Sequence, residues 1–366
     1  MSNQDEQTAL LEIRNRIDVI DEQLQALISE RARLARQVAE IKTRGGRVEA
    51  VFYRPEREAQ VLRRVIERND GSLPAQDMAR LFREIMSACL ALEEPMRIAY
   101  LGPEGSYSHA AVIKQFGTFA HPYAVSSISD VFKAVERKEA HYGIVPVENS
   151  TEGVVSETQN ALIETPLQVC SEVDLPIHHC LLSRSEKPEQ IRRVVAHAQA
   201  LAQCRTWLQN NLAHAELEAV ESNARAAQLA QAHDDWAAIA SEQAAQIYDL
   251  HIVEKHIEDN PNNTTRFWVM GHEQSQPSGE DKTAMVLTVP NRAGALLEVL
   301  EPFSERGISM SRIVSRPAQH KTWDYLFFID IIGHAQQDEV REVLEEVAER
   351  SAWFKLLGSF PISPLK

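Results

Sequence analysis

Near the N-terminus apolar residues recur in steps of three and four: Leu10, Ile13, Ile17, Ile20, Leu24, Leu27, then Arg31, Leu34, Val38 and Ile41. This rhythm predicts one very long helix with a single apolar seam, roughly 50 Å at 1.5 Å per residue. Gly45-Gly46 is the expected stop. A second helix opens at Pro55, carries Val61, Leu62, Val65 and Ile66, and ends at Asn69-Asp70-Gly71. A third opens at Pro74, with Met78, Leu81, Phe82, Ile85, Cys89 and Leu92 expected to face inward. Two short helices cover so long a seam poorly. Pairing with a second copy would bury it, which predicts an interlocked homodimer or higher homo-oligomer.

After residue 95 the pattern changes. Short β-rich runs alternate with helical ones: RIAYL at 97–101, YGIVPV at 142–147, and strands near 193–196, 217–220, 237–240 and 266–270. An α/β domain, doubly wound and in two lobes with a cleft between them, is the natural packing. A polar stretch, GHEQSQPSGEDK (271–282), separates it from a β-α-β-β-α-β series. That order fits an α+β, ferredoxin-like domain. The expected fold is therefore multidomain: all-α over 1–95, two-lobed α/β over 96–272, and ferredoxin-like over 283–366.

Composition narrows the partners. Lys and Arg total 38 against 53 Asp and Glu, a net charge of -15 over 366 residues. Nucleic acid and anionic membrane are poor partners for such a chain. No apolar run reaches the roughly 20 residues a membrane span needs, and MSNQDEQ has no signal-peptide core. Cys89, Cys170, Cys180 and Cys204 lie far apart, as expected of reduced thiols in a cytoplasmic protein. There is no metal motif and no nucleotide-binding glycine pattern, so neither metal nor cofactor is expected. The pair His178-His179 reads as structural.

Arg31 is the one charge in the seam. It either snorkels to solvent at the edge of a helix pair or is a buried cation awaiting a carboxylate ligand. Lys42 lies three turns on, near the same face, with Ala35 and Val38 between. Arg14 points elsewhere, toward a neighbouring subunit. Arg57-Glu58 and Glu93 bring further charges from the second and third helices. The segment LLEIRNRIDVIDEQLQALISERARLARQVAEIK resembles the all-helical chorismate mutase domain that begins bifunctional P-proteins. That resemblance implies that Arg31 and Arg57 bind the carboxylates of chorismate, that Arg14 comes from the other protomer, and that Glu58 accepts from the ring hydroxyl. It also places Lys42 and Glu93 at the ether oxygen. Glu93 stands where Gln is common, and Cys89, a further substrate contact, where Ser is common.

In the α/β region, GPEGSYS (102–108) follows a strand and opens a helix, a geometry suited to a carboxylate. Glu148-Asn149-Ser150-Thr151 follows YGIVPV at a strand's C-terminal end, where such sheets bind ligands. GPEGSYSHAA, GIVPVENSTEGVV and NNTTRF together, with HAQALAQC, ESNARAA and AAIASEQAAQIYDL, resemble prephenate dehydratase. Thr265 would then donate to the departing hydroxyl, while Glu148, Asn149, Ser150 and Gln203 hold substrate. Ala196 stands where the family often has Ser.

The last region resembles a phenylalanine-sensing ACT domain. Gly294-Ala295-Leu296-Leu297 would form one side of an amino-acid pocket at a dimer interface, and Ser315-Arg316-Pro317 the other, with Val314 in place of the usual Glu. The resemblance implies a cytoplasmic enzyme of phenylalanine biosynthesis, converting chorismate to prephenate and prephenate to phenylpyruvate, with L-phenylalanine as inhibitor. A non-catalytic amino-acid sensor on the same domains is the alternative.

Overall fold

The structure, a computed structural model, describes residues 3–43, 53–318 and 325–365. The expected helix stop at Gly45-Gly46 lies outside these. Helix α1 (Asn3–Thr43) is continuous and spans about 60 Å. Residues 5–30 are exposed throughout, the seam included. Only from Arg31 onward is α1 partly covered, where it leans on α3 (Ala75–Glu93). Helix α2 (Pro55–Glu67) also packs on α3. Its Pro55 sits where a missing N–H costs nothing. Leu81 and Leu92, expected inward, are exposed. They lie three turns apart on one face of α3, which none of the described residues covers.

Lobe one is a sheet ordered β2-β1-β3-β11-β5, built from β1 (Arg97–Leu101), β2 (His121–Val125), β3 (Tyr142–Asn149), β5 (Gln168–Pro176) and β11 (Thr264–Gly271). The two-residue β4 (Gly153–Val154) pairs with β3. Strands β2, β1 and β3 are parallel, whereas β11 and β5 run antiparallel, so the sheet is mixed rather than purely doubly wound. Helices α4 (Tyr107–Phe116), α5 (Ile128–Glu136) and α6 (Ser156–Glu164) connect its strands.

Lobe two is inserted between β5 and β11. Its sheet runs β10-β6-β9-β7-β8, from β6 (Cys180–Ser183), β7 (Arg193–His197), β8 (Glu216–Val220), β9 (Trp236–Ala240) and β10 (His251–Glu254). Helices α7 (Ala198–Gln203), α8 (Arg205–Asn211), α9 (Asn223–Gln231) and α10 (Glu242–Ile247) complete it. The chain crosses between lobes twice, after β5 and after β10.

The third unit has the expected order: β12 (Asp281–Thr288), α11 (Ala295–Glu305), β13 (Met310–Pro317), β14 (Tyr325–Ile332), α12 (Asp338–Arg350) and β15 (Trp353–Pro361). Its antiparallel sheet runs β13-β14-β12-β15. One face packs on its own helices. The other shares a continuous core with lobe one, where Val286, Phe328 and Phe360 meet Val145, Val169 and Trp268. Gly358 is required there, because a Cβ would meet the Val169 carbonyl oxygen at 2.3 Å.

The helical region is fixed to both other units. Tyr53 is buried against Phe116 and Tyr142 of lobe one. Arg63 donates to the carbonyls of Ser278, Glu280 and Ile362 and to Ser278 Oγ. Leu365 packs on Leu62 and Ala79.

Candidate functional sites

The first site is a cleft of about 600 Å³ between the C-terminal part of α1 and the pair α2–α3. Arg31, Lys42, Arg57, Glu58, Cys89 and Glu93 all line it, with Ala35 and Val38 between the cations as the spacing implied. Arg14 lies on the exposed stretch of α1, so in this chain it faces solvent. Lys42 Nζ stands 3.7 Å from Glu93 Oε2. Burial pushes the Glu93 carboxyl up, opposed by Lys42 and Arg31. Burial also raises Glu58, opposed by Arg83 at 2.9 Å. Arg83 donates as well to the carbonyls of Lys114 and Gln115 at the end of α4, tying the cleft to lobe one. Tyr53, Arg54 and Met86 also line the cleft; their side chains carry no periodic signal that sequence reading could have used.

The second site, of about 350 Å³, lies between the lobes at the C-terminal ends of β1, β3 and β7. Lobe one contributes Gly102, Ser106–Ser108, Asn149 and Thr265, and lobe two His197, Gln199, Gln203 and Ser222–Ala224. Helices α4 and α9 begin at its wall, each capped by a serine, Ser106 or Ser222. No Arg or Lys lines this cleft among the described residues. Carboxylates would there meet helix N-termini and neutral donors.

The hydrogen bonds fix how the polar groups point. Asn149 Oδ1 accepts from the backbone N–H groups of Thr151 and Glu152 at 2.9 and 3.0 Å. The amide nitrogen must therefore face the other way, and it donates to Thr265 Oγ1 and to Asn263 Oδ1, both at 2.8 Å. Thr265 thus receives a hydrogen bond, and its own proton is left for the cleft. Gln203 Oε1 takes Asn263 Nδ2 at 3.3 Å and lies 2.8 Å from His179 Nε2. His179 Nδ1 is 2.8 Å from the Tyr107 hydroxyl. Burial lowers the His179 pKa, keeping the ring neutral. Tyr107, His179 and Asn263 are members of the site that sequence reasoning did not select. The pair His178-His179 is expected from sequence to be structural; here His179 lies against Gln203.

Two residues expected in the cleft are placed differently. Glu148 precedes Asn149 on β3, so strand alternation turns it to the opposite face. There it accepts from Arg312 Nε at 2.6 Å. Ser150 accepts from Thr264 N–H and donates to the Asn262 carbonyl, joining its loop to the start of β11. Ala196 is fully buried in the core of lobe two.

The third site, of about 300 Å³, is lined by Val289–Arg292, Gly294–Leu297, Tyr325 and Phe327. Gly294 holds φ +83° at the turn into α11, a backbone shape that favours glycine. Leu297 is 72% exposed at its rim. Ser315 and Pro317 pair with Phe327 and Tyr325 on the neighbouring strand. Arg316 is turned by alternation to the other face, where it bonds Asn160 of α6 and lies over the Phe328 ring. Val314 packs on lobe one, so the departure at that position lies outside the pocket.

His178, His256 and Glu258 converge on the two lobe connections, their ligand atoms within 4.8 Å of one another. Both Glu258 oxygens already accept from protein donors, one from His178 and one from the His179 N–H. All four cysteines are free and buried. No helix among the described residues is long and apolar enough to cross a membrane.

Fold and clefts together define a multidomain enzyme with two separate small-molecule sites and an appended sensor-like unit. Family models for chorismate mutase type II, prephenate dehydratase and the ACT domain match residues 13–94, 98–275 and 283–349 respectively. A Neisseria gonorrhoeae protein named bifunctional chorismate mutase/prephenate dehydratase is 50% identical, covering 97% of this chain and 98% of its own. The Pseudomonas aeruginosa protein of that name is 46% identical over 99% of both. The solved prephenate dehydratase of Arthrobacter aurescens, in complex with L-Phe, is 31% identical with a TM-score of 0.68, covering 74% of this chain and 92% of its own. The chain belongs to the bifunctional chorismate mutase/prephenate dehydratase family.

Proposed function

We propose that residues 1–95 rearrange chorismate to prephenate, that residues 96–272 convert prephenate to phenylpyruvate, and that residues 283–366 bind L-phenylalanine and inhibit the second step. The enzyme is cytoplasmic and acts as a homodimer or higher homo-oligomer. The first reaction needs no nucleophile or proton shuttle. It needs the dicarboxylate held compactly and positive or donor groups at the ether oxygen as it gains charge. Arg31 and Arg57 take the carboxylates, Arg14 arrives from the partner protomer, and Lys42 and Glu93 face the ether oxygen. Glu58 accepts from the ring hydroxyl and Cys89 closes the wall.

In the second reaction the bond from the ring to its carboxylate breaks and CO2 leaves. That electron pair enters the ring, which becomes aromatic. The C4–O bond breaks with its own pair, and the departing oxygen takes a proton to leave as water. The observation that carries this assignment is the fixed Asn149 amide, which leaves the Thr265 proton directed at substrate. Gln203 holds the substrate. Asn149, its amide fully engaged, acts through Thr265, and closed lobes shield the reaction from water. One coupled assay tests the whole reading: chorismate in, phenylpyruvate out, with and without L-phenylalanine. Absence of either activity, or indifference to phenylalanine, removes the corresponding part.

A further inference from the structure

The contact between the ACT-type unit and lobe one contains more charge than packing requires. Arg312, on β13, is 6% exposed and reaches across the interface to Glu148 at 2.6 Å. In register with it on β14 is Asp330, buried, with Oδ1 4.0 Å from Arg312 Nη1. Asp330 Oδ2 lies 3.5 Å from Arg266 Nη1, and Arg266 pairs in register with Glu148. Asp174 lies 3.5 Å from Arg266 Nε. Among the described residues, both Arg312 terminal nitrogens and both Asp330 oxygens lack hydrogen-bond partners. Arg312 therefore has one acceptor in hand and a second, unfilled, within about a side-chain rotation.

Alternation gives this network its significance. On β3, Glu148 faces the ACT-type unit and Asn149 faces the cleft. On β11, Arg266 faces that unit and Thr265 faces the cleft. Both residues that set the proton donor are thus one residue from a group held by the interface. On β13 the same rule puts Arg312, Val314 and Arg316 against lobe one, and Ser315 and Pro317 on the amino-acid side. Strand β13 thus touches lobe one directly and is paired in register with Phe327 and Tyr325, which line the pocket.

We propose that Arg312 is a positioning residue of the dehydratase: it fixes Glu148 and thereby Asn149 and the Thr265 hydroxyl, and it conveys occupancy of the amino-acid pocket to the cleft. This rests on the dehydratase reading of the cleft and the phenylalanine reading of the pocket. When β13 shifts, Arg312 exchanges Glu148 for Asp330 and the end of β3 loses its anchor.

The test uses the full chain. Arg312→Gln should lower dehydratase kcat by about ten- to a hundredfold, as expected of misplacing a catalytic group by under an ångström or so, with KM changed far less. Arg312→Lys should recover part of the rate, keeping the charge without the planar fork. L-phenylalanine should still bind the Gln variant by calorimetry but inhibit it much less than wild type. Glu148→Gln and the double variant close a cycle in which the two losses overlap instead of multiplying. Mutase activity reports folding; should Arg312→Gln lose it, the Lys variant and the Glu148→Gln single decide the matter. Unchanged kcat with intact inhibition, or losses that multiply, overturns the proposal. Wild type without dehydratase turnover, or without response to phenylalanine, instead overturns the readings beneath it.

Discussion

Asn149 can offer its amide nitrogen to Thr265 in one sense only, because two backbone N–H groups hold its oxygen. Asn149→Asp would put an acceptor beside Thr265 Oγ1 and draw the threonine proton away from substrate. We expect this variant and Thr265→Ala each to lose dehydratase rate by about a hundredfold or more, the usual worth of a positioned proton donor. Mutase activity, measured in the same preparations, should be unchanged, since the clefts share no residue. Glu93 makes a different case. A carboxyl beside an oxygen gaining negative charge helps only when protonated, and burial raises its pKa against the pull of Lys42. Mutase activity should therefore fall as pH rises through that raised value. Glu93→Gln should flatten the fall and gain at alkaline pH; superimposable profiles would remove Glu93 from the ether oxygen. The constellation of the first cleft was legible because helical spacing alone puts Arg31 and Lys42 on one face. Glu148 was not, because a motif read as a block conceals that adjacent strand residues face opposite ways.

The seam of α1 is the clearest element-scale signal, and it remains uncovered: Ile13, Ile17, Leu24 and Leu27 are each at least 50% exposed. A soluble helix does not keep such a stripe in water. Leu24→Glu in the full chain should shift sedimentation from dimer or higher toward monomer. Mutase activity should fall, since Arg14 would no longer reach a neighbour's cleft, while the dehydratase persists. An unchanged sedimentation coefficient would separate the seam from assembly. Long sustained periodicity made this helix readable. Strands β2, β4, β5, β6 and β10 were not read, and β2 and β5 show why. Strand β2, HPYAV, carries Pro122 and lies at a sheet edge, where proline is tolerated. Strand β5, QVCSEVDLP, breaks alternation with Ser171 and Glu172, both buried. Glu172 Oε1 accepts from Lys282, 110 positions away, at 2.6 Å. A local window cannot contain that partner.

At the scale of the molecule, domain order was legible from changes of period, but the cohesion between domains was not, since its groups come from distant positions. Arg63 holds three carbonyls of the ACT-type unit and its approach. Arg63→Ala should cost on the order of 2 to 4 kcal/mol through several charge-assisted hydrogen bonds. It should also quicken proteolysis within 271–282; equal cleavage rates would make the clamp ornamental. Asp330 tests the interface electrostatically. Burial raises its pKa from 3.8 to about 6, against the pull of Arg312 and Arg266. The folded chain therefore holds this proton where the unfolded chain has released it. Stability from this group falls as pH rises from about 4 to about 6 and stays lower above. The shift of roughly two units corresponds to at most about 3 kcal/mol. Asp330→Asn removes the charge and keeps the shape. Its first thermal transition should lie several degrees above wild type at pH 7.5, and level with it at pH 4. Destabilisation of equal size at both pH values would mean that the two arginines outweigh burial, and that the ionised carboxylate holds the domains together.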